Sequence, residues 1–284
     1  MGQIKAYIGA MRVKHWVKNL LIFAPLFFAG DVLKLDMVLE GVKIFFAFSF
    51  LASAIYIFND IADRDNDKVH PLKKYRAIAS GIISVRKAVF VSIICFILAV
   101  ALNIGFPLEV VIILCFYFVA NLFYSFWLKN VVIVDIFLVA MMYLMRIYAG
   151  GKLWNIPLSH WIILCTFFLA LFLVTAKRRA ELVSLGNDVG TRKVIQDYDK
   201  GFLDTVLTIT ATSSIVSYGL YVVSVDKPYL IYSLFFVVFG MLRYLYLIHK
   251  KDYGQNPENF MSDLWVGFVV IAWILYNGFV FYYF

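Results

Sequence analysis

Long apolar stretches alternate with short polar ones along the chain, and the two longest polar stretches lie at 59–86 and 177–201. The apolar runs are continuous rather than alternating residue by residue, which predicts helices and not the short dyad-patterned strands of a membrane barrel. Nine spans are expected, at 16–30, 40–58, 87–104, 108–127, 131–150, 160–176, 202–224, 228–248 and 263–283. The first is short and holds Pro25. Ahead of it, Ile4, Tyr7, Ile8 and Met11 share one helical face, the pattern of a short helix lying in the membrane interface.

Composition agrees with this reading. The 284 residues are 63% hydrophobic and only 15% charged, whereas soluble domains are about half apolar and a quarter charged. The fold expected is one all-α integral membrane domain spanning 1–284, without a separate soluble domain. The net charge of +8 belongs with loops at one membrane face and not with nucleic acid. With the N-terminus placed in the cytoplasm, 21 of the 26 Lys and Arg residues fall on inner segments. That asymmetry orients the chain N-in and C-out. Cys95, Cys115 and Cys165 all sit in apolar runs, and the four histidines show no metal-ligand spacing.

The chemistry concentrates in YIFNDIADRDNDKVHPLKKYRAIASG, residues 56–81. Asn59, Asp60, Asp63 and Asp67 begin where a hydrophobic run ends. On a continuous helix Asp60, Asp63 and Asp67 share a face. Three like charges there repel unless a cation neutralises them, and hard carboxylate oxygens on a wet face suit Mg²⁺ bridged to phosphate. Asn59 adds a neutral ligand, and Asp65 is expected to be solvated or paired with a lysine. The alternative is a solvated acidic cap, but charge at the very end of an apolar helix is expensive and tends to be functional. Lys73, Lys74 and Arg76 follow directly and suit the phosphate oxygens a metal leaves uncovered. Lys14, Lys18, Lys177 and Arg178 add positive charge on the same side. Positive-inside topology and lipid headgroups account for Lys5, Lys250 and Lys251, but not for bases set beside a carboxylate array.

These residues resemble a known family. N-D-x-x-D-x-x-x-D at the end of the second of nine helices resembles the UbiA-type prenyltransferase superfamily, all-helical membrane enzymes that ionise a diphosphate substrate with Mg²⁺. The resemblance is closer to its decaprenyl-phosphate phosphoribosyltransferase branch. It is carried by RVKHWVKN (12–19), 59–81, YSFWLK (124–129), YLMRIYAGG (143–151), AKRRAEL (176–182) and MLRYLYLIHKK (241–251). The H-P-x-K-x-x-R-x-I-A-x-G run from His70 to Gly81 is the most specific piece. Aromatic-acceptor prenyltransferases carry a second aspartate-rich motif after the sixth helix. Here that loop has Glu181, Asp188, Asp197 and Asp199 but no D-x-x-x-D.

The resemblance implies a UbiA-like bundle that moves 5-phosphoribose from 5-phosphoribosyl 1-diphosphate to a polyprenyl phosphate, with Mg²⁺ as cofactor. Asp60, Asp63 and Asp67 are then the catalytic metal ligands, with Asn59 assisting. Lys73, Lys74 and Arg76 clamp donor phosphate, while Lys14, Lys18, Lys129, Lys177 and Arg178, with Glu181 beside them, serve the second phosphate and the lipid phosphate. Tyr124 bonds phosphate or ribose, or simply anchors at the interface. Asp135 contacts ribose or metal. Arg146 lies too far along the helix to pair with it; it snorkels, meets a group on another helix, or reaches substrate. The partners expected are the donor, the lipid phosphate and the inner (plasma) membrane, with the active site facing the cytoplasm; a homo-oligomer is compatible. Prenyl transfer to a small acceptor is the alternative within the superfamily. A lipid-phosphate transporter or binding protein is the alternative outside enzymes.

Overall fold

In the computed structural model the described residues are 2–69, 73–185, 193–251 and 263–283, and they are helical with no strand among them. Eight helices are long and apolar enough to cross a membrane. They are α3 (Leu35–Ala62), α5 (Val85–Leu102), α6 (Leu108–Phe126), α7 (Val134–Leu153), α8 (His160–Leu185), α10 (Lys200–Ser224), α11 (Ser233–Lys251) and α12 (Leu264–Tyr283). The shorter α1 (Gly2–Ala10), α2 (Ala24–Phe28), α4 (Arg64–Val69) and α9 (Lys193–Gln196) lie between them or at the chain start.

The first expected span, 16–30, is not one of the eight. Val13–Phe23 is a 3₁₀ helix that passes into the five-residue α2. Pro25 is the local cause. It has no N–H to give, and its ring would collide with the carbonyl four residues back, so it breaks the run at this point, and Pro is well placed in the first turn of α2. α1 also differs in detail. Ala6, Tyr7, Ala10 and Met11 face a cluster with Ile57, Ile78, Ile83 and Ala88. Ile4 and Ile8 point outward, so the packed face is turned from the one the isoleucines suggest.

α3 and α7 form the middle of the bundle, while α5 exposes most of its surface, including Phe90, Ile93 and Ile97, as a lipid-facing helix does. The 3₁₀ segment lies against both central helices. Trp16 Nε1 donates to Ser53 Oγ (3.1 Å) and Asn19 Nδ2 to Ser49 Oγ (2.9 Å) on α3. On the α7 side a Cβ at Gly150 would run into the Ile22 carbonyl, so only glycine lets the two backbones approach. Gly150→Val is expected to destabilise the protein by about 1–3 kcal/mol through overpacking. Thermal unfolding in detergent, compared with wild type, measures it.

Candidate active site at the charged end of the bundle

α3 does not continue through its aspartates. It ends at Ala62 with Asp63 as C-cap (φ −88°, ψ 5°), and α4 begins at Arg64. This corrects the expectation of three aspartates on one continuous helical face. Asp60, on the last turn of α3, and Asp67, on α4, are both buried. Arg76 Nη1 donates to Asp60 Oδ1 (3.0 Å) and to Asp67 Oδ2 (2.8 Å), so one nitrogen ties the two carboxylates together. Arg12 Nη2 donates to the same Asp60 oxygen at 2.7 Å, and its guanidinium lies over the Tyr56 ring, 4.5 Å from the centroid. Asp63 turns the other way, with Lys129 Nζ 3.5 Å from its Oδ2. Asn59 Nδ2 donates to Ser125 Oγ (2.8 Å), fixing the end of α3 against α6. Asp65 is paired with a lysine: its bond to Lys68 (2.7 Å) holds the carboxyl below the usual range.

The loop after α4 returns Arg76 to the acids because its apolar residues are anchored. Ile78 and Ile83 are buried against Ala10, Ile57 and Ala88, and Gly81 takes a positive φ of 81° that turns the chain back. The AIASG of the motif is thus a plug that places the arginine. His70, the first residue of that motif, lies outside the described residues, as does Asp188.

Beside Asp60 opens a cleft of about 470 Å³, lined by Lys5, Arg12, His15, Tyr75, Arg76 and Lys177 among others. Lys5 and Arg12 are here through a left-handed backbone at Arg12 (φ 51°), where α1 gives way to the 3₁₀ helix. Sequence reasoning assigned Lys5 to topology alone and gave Arg12 no role. The only signal for Arg12 was its place at the head of RVKHWVKN. Lys14 and Lys74 are exposed and do not line the cleft, and Lys74 lies over the Tyr75 ring. Lys73 is half-buried at the start of a 3₁₀ turn.

A second network is built on Arg178, the residue after Lys177. Arg178 Nε donates to Asp135 Oδ2 (2.6 Å), Nη1 to Glu181 Oε2 (2.8 Å) and Nη2 to the Tyr124 hydroxyl (2.9 Å). The Tyr198 hydroxyl donates to the other Asp135 oxygen (2.6 Å) and accepts from the Ile133 amide (2.8 Å). Burial, and then the bond to Asp135, push the Tyr198 phenol above its ordinary value. Four residues expected separately at the substrate, Tyr124, Arg178, Glu181 and Asp135, thus meet in one group, and Asp135 makes its hydrogen bonds to protein. It is fully buried with both oxygens taken by protein donors, because Arg178 and Tyr198 close over it.

Arg146 is a third case. It is buried in the bundle, donating to Asn19 Oδ1 (2.7 Å), the Met142 carbonyl (2.5 Å) and the Tyr117 hydroxyl (3.1 Å), with Phe48 and Tyr143 rings around it. Of the readings open for it, the group on another element is the one seen. Lys18 lies 5.9 Å from the centroid of the same Tyr143 ring.

Among the described residues no three His, Cys, Asp or Glu side chains converge as a metal-binding group. The donor chemistry nevertheless fits Mg²⁺. Asp60 and Asp67 bring hard oxygens to one point, and Mg²⁺ commonly takes one or two carboxylates and completes its shell with waters and substrate phosphate.

Comparison with known proteins agrees with the architecture. The decaprenyl-phosphate phosphoribosyltransferase of Mycobacterium tuberculosis is 31% identical over 283 residues, 97% of this chain and 94% of that protein. That of Corynebacterium glutamicum is 33% identical over 281 residues, 94% and 84% of the two chains. The solved structure of a UbiA homolog from Archaeoglobus fulgidus bound to GPP and Mg²⁺ superposes with a TM-score of 0.74 at 17% identity, over 98% of this chain and 99% of that one. Residues 21–270 match the UbiA prenyltransferase family, and this chain, a multi-pass membrane protein with that fold, belongs to it.

Proposed function

We propose that this protein transfers 5-phosphoribose from 5-phosphoribosyl 1-diphosphate to a polyprenyl phosphate, with Mg²⁺, releasing diphosphate. The observation that carries this reading is the basic cleft lined by Asp60, whose carboxylate shares the Arg76 guanidinium with Asp67. It offers more cations than a diphosphate bound to metal requires, as suits a donor with an additional phosphate. The names of the relatives support the same donor and acceptor, and the fold-mate bound to GPP and Mg²⁺ supports the metal.

Asp60 and Asp67 would hold the metal, with Asn59 steadying the end of α3. Bound Mg²⁺ supplies charge neutralisation on the leaving diphosphate. Arg12, Arg76 and Lys177 bind phosphate oxygens, and guanidinium groups suit them through paired donors. Lys129 holds Asp63 at the neighbouring edge. Lys14, Lys18, Lys73 and Lys74 are assigned to the lipid phosphate and headgroup region. Tyr124 and Glu181 orient Arg178, whose remaining role is to shape the wall. The acceptor phosphate is an anion already, so attack on the anomeric carbon needs no general base.

The protein is read as lying in the plasma membrane with this end in the cytoplasm, because the Lys and Arg bias favours it. Val13–Phe28 completes a ninth span. Eleven 3₁₀ residues at about 2.0 Å and five α residues at about 1.5 Å reach about 30 Å, the thickness of a hydrocarbon core.

The experiment is a donor panel. Purified protein with Mg²⁺ and a polyprenyl phosphate receives labelled 5-phosphoribosyl 1-diphosphate or a labelled prenyl diphosphate. Mass spectrometry is expected to find a phosphoribosylated lipid. Product from the prenyl donor alone overturns the reading.

A further inference from the structure

We propose that Arg12 and Arg76 make metal binding conditional on the phosphate donor, by holding the carboxylates themselves and passing to the donor's phosphates when metal and donor enter together. This rests on the metal–diphosphate chemistry of the reading above, but not on the identity of the group transferred.

Asp60 and Asp67 are already neutralised. Two guanidinium groups meet two carboxylates, and one nitrogen of Arg76 bridges both. The acids are almost fully buried, with side chains 6% and 4% exposed, whereas Arg12 and Arg76 are 25% and 31% exposed and line the cleft. A dication arriving alone would therefore add two positive charges to a balanced, poorly solvated cluster, and like charges at these distances repel strongly even at a generous dielectric. A dication arriving with diphosphate brings its own counter-charge. The two arginines then lose the carboxylates and gain phosphate oxygens, without being left unpaired.

The parts needed for such an exchange are present. Arg12 sits at a left-handed turn between two helices, and its side chain is a quarter exposed to the cleft. Arg76 is carried by a loop pinned through Ile78 and Ile83, so its backbone stays while its side chain redirects. Neither arginine is tied down by a second carboxylate outside this pair of acids among the ion pairs seen. The coupling must be reciprocal: whatever factor diphosphate adds to metal affinity, metal adds to diphosphate affinity.

The test uses full-length protein in detergent, Mn²⁺ as the probe for Mg²⁺, and inorganic diphosphate. Equilibrium dialysis or Mn²⁺ resonance reads protein-bound metal. Wild type is expected to bind Mn²⁺ at least tenfold more tightly with diphosphate present. Arg76→Gln and Arg12→Gln are each expected to bind Mn²⁺ alone at least fivefold more tightly than wild type and to lose most of the gain from diphosphate. Mn²⁺ affinity that is unchanged or weaker in the folded variants overturns the proposal. So does wild-type affinity that ignores diphosphate, a measurement that decides the matter even if neither variant folds. No ribosyl or prenyl donor is used, so a failed donor panel leaves this outcome standing on its own.

Discussion

Asp67→Asn is expected to lower the transfer rate by about 10²–10³-fold or more while leaving a folded protein in the membrane. Asparagine keeps the shape of the side chain and an oxygen for Arg76, which now donates to Asp67 at 2.8 Å. What it removes is the negative charge that a divalent metal needs. The rate is read per mole of folded protein, across a Mg²⁺ titration. A near-wild-type rate at low Mg²⁺ would take Asp67 out of the metal set. Asp63→Asn is expected to cost less, because that side chain is directed to Lys129 and is 38% exposed. Equal losses at the two positions would mean that Asp63 turns into the cleft during the reaction.

Asp135→Ala has the opposite signature, with stability lost first. The carboxylate is completely buried and takes the Arg178 guanidinium on one oxygen and the Tyr198 hydroxyl on the other. Its removal leaves Arg178, whose side chain is only 4% exposed, with Glu181 as its remaining carboxylate, and breaking a buried pair in this way costs up to about 3–5 kcal/mol. Native proteins hold only about 5–15 kcal/mol in reserve, so a fall in the unfolding midpoint of the order of 10 °C is expected in detergent. Double replacement of Asp135 and Arg178 by apolar residues of similar size is expected to recover much of that loss, since it buries no unpaired charge. A midpoint unchanged in Asp135→Ala would show that Glu181 and Tyr124 alone suffice to hold Arg178.

These two aspartates mark what the sequence could and could not disclose. The eight long apolar runs were legible because continuous hydrophobicity of that length is hard to place anywhere but in lipid. The residue types of the site were legible too, since acids followed by bases at the end of an apolar helix are costly unless used. Asp63 was misdirected because the spacing argument assumes an unbroken helix, and the break falls on that residue. Asp135 looked like a ligand because its partners, Arg178 and Tyr198, lie 43 and 63 positions away. Arg12 was passed over for a similar reason: Asp60 is 48 residues off, and a backbone with φ of 51° at a non-glycine residue has no sequence signature. The apolar stretch at 16–30 was legible as hydrophobicity, but its form was not: a run read at 3.6 residues per turn does not disclose a helix that repeats every third residue.

That repeat has a consequence for how the charged end is set. Three residues of 3₁₀ helix and four of α-helix both advance about 6 Å. Trp16 and Asn19, three apart, therefore meet Ser53 and Ser49, four apart, in a straight row with no accumulated mismatch. The segment behaves as a rack engaged on α3, with Arg12 fixed at its upper end. A single residue inserted between Trp16 and Asn19 would shift the teeth by about a third of a turn, release both serines and lift the guanidinium off Asp60. The placement of a cleft cation is in this sense metered from within the membrane.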